Sequence, residues 1–343
     1  MRNTTRIAFN AFVSQVAMLN GVQAADANKE FTVAPVVAQT LFEKVQLSSD
    51  FLSRINMHTV PQQEGQKVGI AITKSIAGRT DTSGGTRRNP GNPSDTVGYS
   101  YRCEKTDYDT ALLYALLDQW GHRPEFQTLV RDAIVKRQGI DKMIIGWNGT
   151  SVAANTDRVA NPLLQDVNKG WIKHCRDDRP EMILSHGDLD AASIYVSDTG
   201  TSDYVNLDAL VFDLIENLEE PFRDDTELVA ICGRDLVHDK YFNLVNAAGD
   251  DTMKQVARDV LLSTKKLGGL PAVRVPYFPA GKLAITRLDN LSIYEQEGTQ
   301  RRMIWEQPDL NRVCDFQSTN EAFVIEENGL FTLAENIVMA PKV

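Results

Sequence analysis

Apolar side chains recur at helical spacing over residues 123–150, and this is the longest such pattern in the chain. The positions that share it are Pro124, Phe126, Leu129, Val130, Ala133, Ile134, Ile140, Ile144 and Trp147. Pro124 fits the first turn of a helix, and Asn148-Gly149 predicts a left-handed stop at its other end. We therefore expect one helix of roughly 35 Å, long enough for an extended part of the chain to lie along it.

The polar positions of this predicted helix carry charges of both signs. They are Glu125, Arg131, Asp132, Lys136, Arg137, Asp141 and Lys142. Interleaved charges predict a solvated face, whereas a nucleic-acid ridge requires a run of basic residues. Gly139 interrupts the helix and costs about 1 kcal/mol relative to alanine, so it indicates either a gentle bend or a close neighbour.

A second amphipathic pattern opens the chain. One helical face carries Phe9, Phe12, Val13, Val16 and Leu19. Thr4 or Thr5 can cap this helix, and Gly21 can end it. Its apolar run superficially imitates a secretory signal, but the polar interruptions favour an amphipathic helix. Because a polar connector (22–29) joins it to another helical stretch (36–46), we expect an arm that packs on another surface or on another subunit.

Two alternating segments, 67–76 and 99–103, predict long strands joined by a loop. The loop, residues 78–98, is rich in glycine and proline and contains almost no apolar residue. A two-stranded ribbon with such a tip has no buried face of its own and is unstable alone. We therefore expect a neighbouring molecule to hold it.

The second half of the chain predicts a mixed α/β lobe. Asn206 can cap a helix with one apolar face, which is formed by Leu207, Leu210, Val211, Leu214, Ile215 and Leu218. Further elements are predicted as follows: helices at 161–175 and 235–245, and strands at 228–232, 272–275, 283–286 and 291–294. Two alternating runs near the end, 322–325 and 330–333, predict strands that return to the domain of the long helix.

Charge and composition narrow the function classes. The 343 residues carry a net charge of −10, with 42% apolar residues, which favours packed domains and argues against a broad nucleic-acid-binding surface. The four cysteines are far apart and indicate reduced thiols in a cytoplasmic setting, with neither a zinc site nor a disulfide framework. We expect no membrane span, because no apolar run approaches the required ~20 residues.

The motifs of common enzymes are missing, namely the P-loop, GxGxxG, GxSxG and HExxH. The best enzyme-like cluster is His186-Gly187-Asp188-Leu189-Asp190, for which a polar turn is the favoured interpretation and a soluble hydrolase the alternative. Paired carboxylates at 177–178, 224–225 and 250–251 predict solvated loop charges. We therefore expect no catalytic residue, metal or cofactor.

Five sequence blocks resemble one known family. They are SSDFL at 48–52, IAGRTDTSGGT at 76–86, LQDV at 164–167, LPAVRVPYFP at 270–279 and NLSIY at 290–294. In collinear order over nearly the whole chain, they are similar to the major capsid proteins of P2-like tailed bacteriophages, which have the HK97-type fold. This resemblance implies an α+β capsid subunit that assembles into an icosahedral shell around double-stranded DNA. An encapsulin-like bacterial nanocompartment shell is the alternative.

The same resemblance implies a division of the chain. We expect an N-terminal arm (1–48), an E-loop with flanking strands (49–110, the E-loop itself at 67–106), a peripheral domain on the long helix (111–205), an axial domain (206–300) and returning strands (301–343). The implied partners are further copies in hexamers and pentamers, an internal scaffold with protease activity, a portal protein, a capsid-decorating protein and DNA bound weakly and nonspecifically. The implied location is the virion, after assembly in the cytoplasm of a bacterial host.

Two groups of residues are predicted to act in assembly. The E-loop tip contains Arg79, Arg87 and Arg88, and we expect these arginines to meet acidic surface on a neighbouring subunit, because the tip has no apolar anchor and the chain is acidic. The expected region of cleavage by the scaffold protease runs from Gly21 to Phe31, through the polar connector and Glu30. Nothing in the sequence singles out a Lys–Asn pair for covalent cross-linking.

Overall fold

The computed structural model describes residues 1–67, 77, 79–81, 83, 87–88, 99–120, 126–233, 235–236 and 266–342. Its helices are α1 (Asn3–Leu19), α2 (Pro35–Gln46), α3 (Asp50–Arg54), α4 (Tyr114–Trp120), α5 (Phe126–Asn148), α6 (Trp171–Asp178) and α7 (Leu207–Asn217).

Its strands are β1 (Phe31–Thr32), β2 (Asn56–Val60), β3 (Glu64–Lys67), β4 (Tyr99–Arg102), β5 (Glu104–Asp107), β6 (Thr110–Leu113), β7 (Ile183–Leu184), β8 (Ile194–Tyr195), β9 (Val229–Cys232), β10 (Lys266–Leu267), β11 (Leu270–Arg274), β12 (Leu283–Thr286), β13 (Leu291–Gln296), β14 (Arg301–Gln307), β15 (Arg312–Ile325), β16 (Thr332–Ala334) and β17 (Ile337–Val338).

Two mixed sheets organise the described residues. A seven-stranded sheet has the order β1-β14-β15-β13-β2, with β5 and β6 also paired to the long strand β15. A six-stranded sheet has the order β10-β11-β9-β12-β16-β7, in which β11 and β9 are parallel and β12 and β9 are antiparallel. This mixture of helix and sheet confirms the predicted α+β class.

The long helix α5 ends at Asn148, as the sequence predicts, but the reason is different. Gly149 is not left-handed; instead, a Cβ atom there would lie 2.1 Å from the carbonyl oxygen of Asn168. A Cβ atom on Gly170 would lie 2.3 Å from the carbonyl oxygen of Gly146. The backbone therefore crosses itself closely where α5 ends and α6 begins. The predicted start of the helix, at residues 123–125, lies outside the described residues.

One residue on the predicted solvated face of α5 is not solvated. Lys142 is buried, with 3% of its surface exposed, because its side chain enters the contact between α5 and β15. Gly139 shares that face, and a Cβ atom there would lie 2.3 Å from the Ser48 hydroxyl oxygen. The close-neighbour interpretation of Gly139 is therefore confirmed.

The first helix has a different start from the predicted one. Neither Thr4 nor Thr5 caps it: α1 begins at Asn3, and Thr5 is buried. Instead, the Asp118 carboxylate of α4 accepts a hydrogen bond from the Arg2 amide, at 2.8 Å. Gly21 has a φ of 68°, which confirms the left-handed end after α1.

The arm packs on a surface of its own chain. Phe9 and Val16 of α1 join a hydrophobic cluster with residues of α4, α5 and the seven-stranded sheet, namely Phe31, Tyr114, Leu117, Val130, Ile134, Ile304 and Val313. Leu19 is an exception to the predicted apolar face, because 53% of its surface is exposed. The sequence predicted that the arm packs on another surface or on another subunit. The structure shows α1 packed on a surface of its own subunit.

The mixed α/β lobe is largely confirmed. The Asn206 side chain caps α7 by accepting a hydrogen bond from the Ala209 amide, at 2.9 Å, and the apolar face of α7 is buried except at Ile215, which is half-buried. Residues 235–236 are helical, and the rest of the predicted 235–245 helix lies outside the described residues. The 322–325 run lies in β15 of the seven-stranded sheet, but the 330–333 run contributes β16 to the six-stranded sheet, between β12 and β7. The predicted return to the sheet that contacts the long helix is therefore wrong for the 330–333 run.

The predicted 161–175 helix is wrong over its first ten residues, since α6 begins only at Trp171. The Asp166 carboxylate accepts a hydrogen bond from the Asp157 amide, at 2.7 Å, and the Gln165 carbonyl accepts one from the Thr150 amide. Leu164 has a φ of 56°. Hydrogen bonds to side chains and to a distant segment therefore replace the helical ladder here.

Candidate assembly interface

The base of the predicted ribbon is a short antiparallel pair, β3 with β4. Its register places Glu64 opposite Arg102 and Lys67 opposite Tyr99. The first strand thus begins earlier than predicted, and residues 68–76 lie outside the described residues. The second strand begins at Tyr99, as predicted.

Contacts within the same chain hold this ribbon base. The Tyr101 ring packs edge-on against Tyr294 of β13, with ring centroids 5.0 Å apart. Gly65 permits this packing because a Cβ atom there would lie 2.6 Å from the Tyr101 ring. The Cys103 amide donates to the Gln63 carbonyl at 2.8 Å. The prediction that a neighbouring molecule must hold the ribbon is therefore wrong for its base.

The three tip arginines Arg79, Arg87 and Arg88 are exposed. Between them, the Ser83 hydroxyl donates to the Asp81 carboxylate at 2.5 Å and the Ser83 amide at 2.8 Å, and these hydrogen bonds lower the pKa of Asp81. The arginines are thus available to another molecule, and their contact with a neighbouring subunit stays a prediction.

The connector proposed for cleavage is exposed over most of its length. Gly21 is exposed, and Glu30 pairs with Arg301 at 3.1 Å on the surface. Phe31 is different, because it is 9% exposed and belongs to β1, opposite Arg302 of β14. Ala27 is also buried. The accessible backbone therefore lies before Phe31.

An open groove of about 560 Å³ lies between α1, this connector and β14. Its walls include Phe9, Val13, Ala25 and Ile304. At its side lies Trp305, with 48% of its surface exposed. The groove is formed by the same helix and connector that the predicted cleavage would remove.

A buried ionic cluster joins α5 to the seven-stranded sheet, and the sequence analysis missed it. Lys142 pairs with Glu321 of β15, which is fully buried, and Tyr108 donates its hydroxyl to the same carboxylate. Glu295 of β13 lies directly opposite Glu321 in the sheet and is 7% exposed. Burial raises the pKa of Glu295, Glu321 raises it further, and Lys142 lowers it.

One signal in the sequence could have indicated this cluster. Lys142 shares its helix face with Val135, Gly139 and Gly146, and such apolar and small residues are typical of a face that packs closely against another element.

The polar turn interpretation of residues 186–190 agrees with the structure. His186 is exposed, and the Asp203 carboxylate organises the turn by accepting hydrogen bonds from the amides of Leu189 (2.9 Å) and Tyr195 (2.8 Å). Among the described residues, no group of histidine, cysteine and carboxylate side chains could hold a metal ion. The four cysteines are free and buried.

Of the paired carboxylates that the structure describes, Asp224 is exposed in a turn, as predicted, whereas Asp177 and Asp225 form ion pairs. Asp177 lies in α6 and accepts from Lys173 at 2.5 Å and Lys169 at 3.3 Å. Asp225 pairs with Arg287 at 3.2 Å. The third pair, 250–251, lies outside the described residues.

In the part of the chain that is described, no helix is long and apolar enough to cross a membrane.

Known proteins are similar to this chain in sequence. The family described as "Phage major capsid protein, P2 family" matches residues 8–337. The capsid protein of Escherichia phage P2 is 45% identical, with 98% of this chain and 95% of that protein covered. The major capsid protein of Serratia phage KSP20 is 36% identical, with 99% and 98% covered.

A solved structure extends the similarity to three dimensions. A chain of the "Satellite phage P4 procapsid including size determination (Sid) protein" is 41% identical, with a TM-score of 0.81 and 99% of both chains covered. A capsid chain of an empty GTA particle shares the fold at 12% identity and a TM-score of 0.52, over 85% of this chain and 90% of that one.

These relatives confirm the capsid fold and a structural role in a phage capsid, and so in the virion. They favour neither the nanocompartment nor the hydrolase alternative. The chain belongs to the P2 family of phage major capsid proteins.

Proposed function

We propose that this chain builds an icosahedral head shell, from hexamers and pentamers of itself, around double-stranded DNA. The observation that carries the proposal is its similarity to a procapsid chain over 99% of both sequences. A closed shell of identical subunits needs contacts that adapt to five-fold and six-fold surroundings. The net charge of −10 fits weak, nonspecific contact with the packaged DNA.

The proposal includes the division of the subunit. The arm is 1–48, the E-loop region 49–110, the peripheral domain 111–205 with returning strands 301–343, and the axial domain 206–300. Four strands of the six-stranded sheet, β9 to β12, fall within 206–300, which supports an axial unit there. The seven-stranded sheet is less selective, because it takes strands from 1–48, 49–110, 206–300 and 301–343.

The proposed partners are an internal scaffold with protease activity, a portal protein and a capsid-decorating protein, and assembly takes place in the cytoplasm of a bacterial host. The exposed connector before Phe31 supports cleavage by the scaffold protease, because a protease requires accessible backbone. Cleavage there would remove α1 and, with it, one wall of the groove beside β14.

Electron microscopy of particles from infected cells, combined with the intact mass of their subunit, tests this function. We expect DNA-filled icosahedral shells and a subunit mass that lacks roughly the first thirty residues, because the accessible backbone lies in that connector. A full-length subunit in mature shells would reject cleavage alone. Shells filled with protein, or a small soluble oligomer, would reject the head-shell function.

Charge reversal at the E-loop tip tests the role of the arginines. We expect Arg87→Glu/Arg88→Glu to reduce the yield of shells strongly, because acidic side chains would then face acidic surface on the neighbouring subunit. The unfolding free energy of the unassembled subunit should change by less than about 0.5 kcal/mol, since both residues are exposed. Sedimentation of assembled particles and urea denaturation measure the two effects.

The matched control is Arg87→Lys/Arg88→Lys, which keeps both positive charges and should assemble at nearly the normal yield. Normal shells at normal yield from the glutamate variant would show that the tip arginines have no such role.

A further inference from the structure

The first helix, α1, has a second apolar side, which faces away from its own subunit. Its inner side carries Phe9 and Val16, which are buried in the cluster with α4 and α5. On the outer side, Ile7 and Met18 have 71% and 72% of their surface exposed. Single exposed apolar residues are normal on a protein surface, whereas exposed apolar residues that share one stripe indicate a contact surface.

Four exposed residues form such a stripe along the outer side of α1, namely Ile7, Ala11, Ser14 and Met18. Because an α-helix turns by about 100° per residue, these four positions lie within about 60° of one another, opposite to the buried side. The stripe, called the outer stripe below, has a large apolar side chain at each end and small side chains in the middle.

The outer stripe has the same order of large and small side chains in both directions. Its spacings are four, three and four residues, so it is symmetric about a midpoint between residues 12 and 13. When a second α1 lies antiparallel against it, Ile7 of each helix meets Met18 of the other, and the small residues face each other at the centre. Small central residues allow two helix axes to approach closely. A surface that fits its own copy in this way forms an isologous contact.

Charge also favours a second copy as the occupant of the outer stripe. The chain carries a net charge of −10, so two copies repel each other over much of their surface. Within α1, the one charged residue is Arg6, and it pairs with Glu306 of its own subunit at 2.5 Å. An antiparallel pair also places the N-terminal end of each helix beside the C-terminal end of the other, where the partial charges attract.

The outer stripe is too small to hold two free subunits together. A helix of 17 residues is about 26 Å long, and one stripe of four side chains on it buries only a few hundred Å². Stable protein interfaces bury about 1,200 Å² or more. The contact therefore forms only where other contacts have already brought the copies together, as in a shell.

We propose that the outer stripe of α1 docks antiparallel on the outer stripe of a second copy of this chain, between neighbouring subunits of the unprocessed shell. The proposal rests on the shell assembly and connector cleavage proposed above. Cleavage in the connector removes both helices of such a pair. The contact thus belongs to the unprocessed shell alone, and its loss releases the two subunits from each other at this point.

Cysteine cross-linking tests the pairing in shells of the full-length chain, made in cells without the active protease. The four native cysteines are free and buried, so they leave the introduced ones as the accessible thiols among the described residues. Shells assembled from a mixture of Ile7→Cys and Met18→Cys chains should give disulfide-linked dimers of the chain on mild oxidation. Shells of either variant alone should give roughly tenfold fewer, since identical positions lie about 16 Å apart in the antiparallel pair.

Charge substitution provides a second test that needs no cross-link. Met18→Glu should lower the yield of shells by about threefold or more, because it buries a charge against Ile7 of the other copy. Leu19→Glu is the matched control, since Leu19 is also exposed but points about 100° away from the outer stripe. It should assemble at the wild-type yield. Both unassembled variants should unfold at the same urea concentration as the wild type, because both positions are exposed.

Three results would overturn the pairing. They are shells that form without cross-links in the mixture, cross-links that join the chain to the scaffold in place of a second copy, and equal shell yields from the two glutamate variants. Abundant dimers from Ile7→Cys alone would reject the antiparallel arrangement. Each of these results leaves the head-shell function intact, whereas a wild-type chain that forms no shells would reject that function itself.

Discussion

Lys142→Met should destabilise the unassembled subunit by about 3–5 kcal/mol at neutral pH, because it leaves a buried carboxylate without its counter-charge. Glu321 is fully buried, and Glu295 lies directly opposite it with 7% of its surface exposed. Like charges in opposite positions of an antiparallel pair repel each other. Lys142 is the cation that compensates them, so its removal affects both carboxylates. Urea denaturation followed by circular dichroism measures the loss.

The deficit of this variant should shrink as the pH falls. Glu295 has a folded-state pKa above its ordinary value of 4.5, so its contribution to stability is fully present below 4.5 and is lost as the pH rises through the folded pKa. Lys142 lowers that pKa, and the variant therefore raises it further. Protonation of Glu295 at acidic pH removes one of the negative charges that the variant leaves uncompensated. The difference from the wild type is thus largest above the folded pKa of Glu295 and narrows towards pH 4.5.

Lys136→Met is the matched control, since Lys136 is exposed on the same helix. It should change the unfolding free energy by less than about 0.5 kcal/mol. The double variant Lys142→Met/Glu321→Gln should recover part of the loss, because it removes one of the two buried charges. Equal stability of the two lysine variants at neutral pH, or a deficit that does not vary with pH, would contradict the interpretation of the cluster.

The sequence predicted those elements whose apolar pattern is local. The face of α7, its Asn206 cap and the continuous run of β9 involve neighbours a few residues apart, so spacing alone was sufficient. Lys142 was misassigned because its partner lies 179 residues away on β15. The cap of α1 was misassigned for the same reason, since Asp118 replaces the two threonines.

The same limit applies to the candidate interface, where contacts between residues far apart in the sequence could not be predicted. The arginines of the E-loop tip were predicted as contact residues because a loop without apolar residues makes its charges conspicuous, and their contact with a neighbouring subunit stays a prediction. The contact of the Lys67 amine with the backbone carbonyl of Ile325 was not predicted, because Ile325 lies 258 residues away and nothing near the lysine in sequence indicates this acceptor. The family blocks predict where the loop lies in the sequence, and the contacts of the described residues show how its base is held.

Trp171→Ala should also cost about 3–5 kcal/mol, as expected for truncation of a fully buried aromatic side chain. The Trp171 ring lies 4.9 Å from Trp147 of α5 and 5.6 Å from Phe323 of β15, as measured between ring centroids. Its indole nitrogen donates to the Ser292 carbonyl of β13 at 3.1 Å. One side chain therefore ties α6 to the long helix and to two strands of the seven-stranded sheet. Denaturation of the unassembled subunit measures the loss.

Trp305→Ala provides the comparison, because the same residue type lies on β14 with 48% of its surface exposed. Its effect on subunit stability should be below about 1 kcal/mol, since most of its truncation opens no internal cavity. Comparison of the two tryptophan variants thus separates the stability that comes from the buried contact between α5 and α6 from the stability that comes from the surface groove beside β14. Equal losses in the two variants would mean that the α5–α6 joint does not depend on Trp171, and that the close backbone crossing at Gly149 and Gly170 holds it instead.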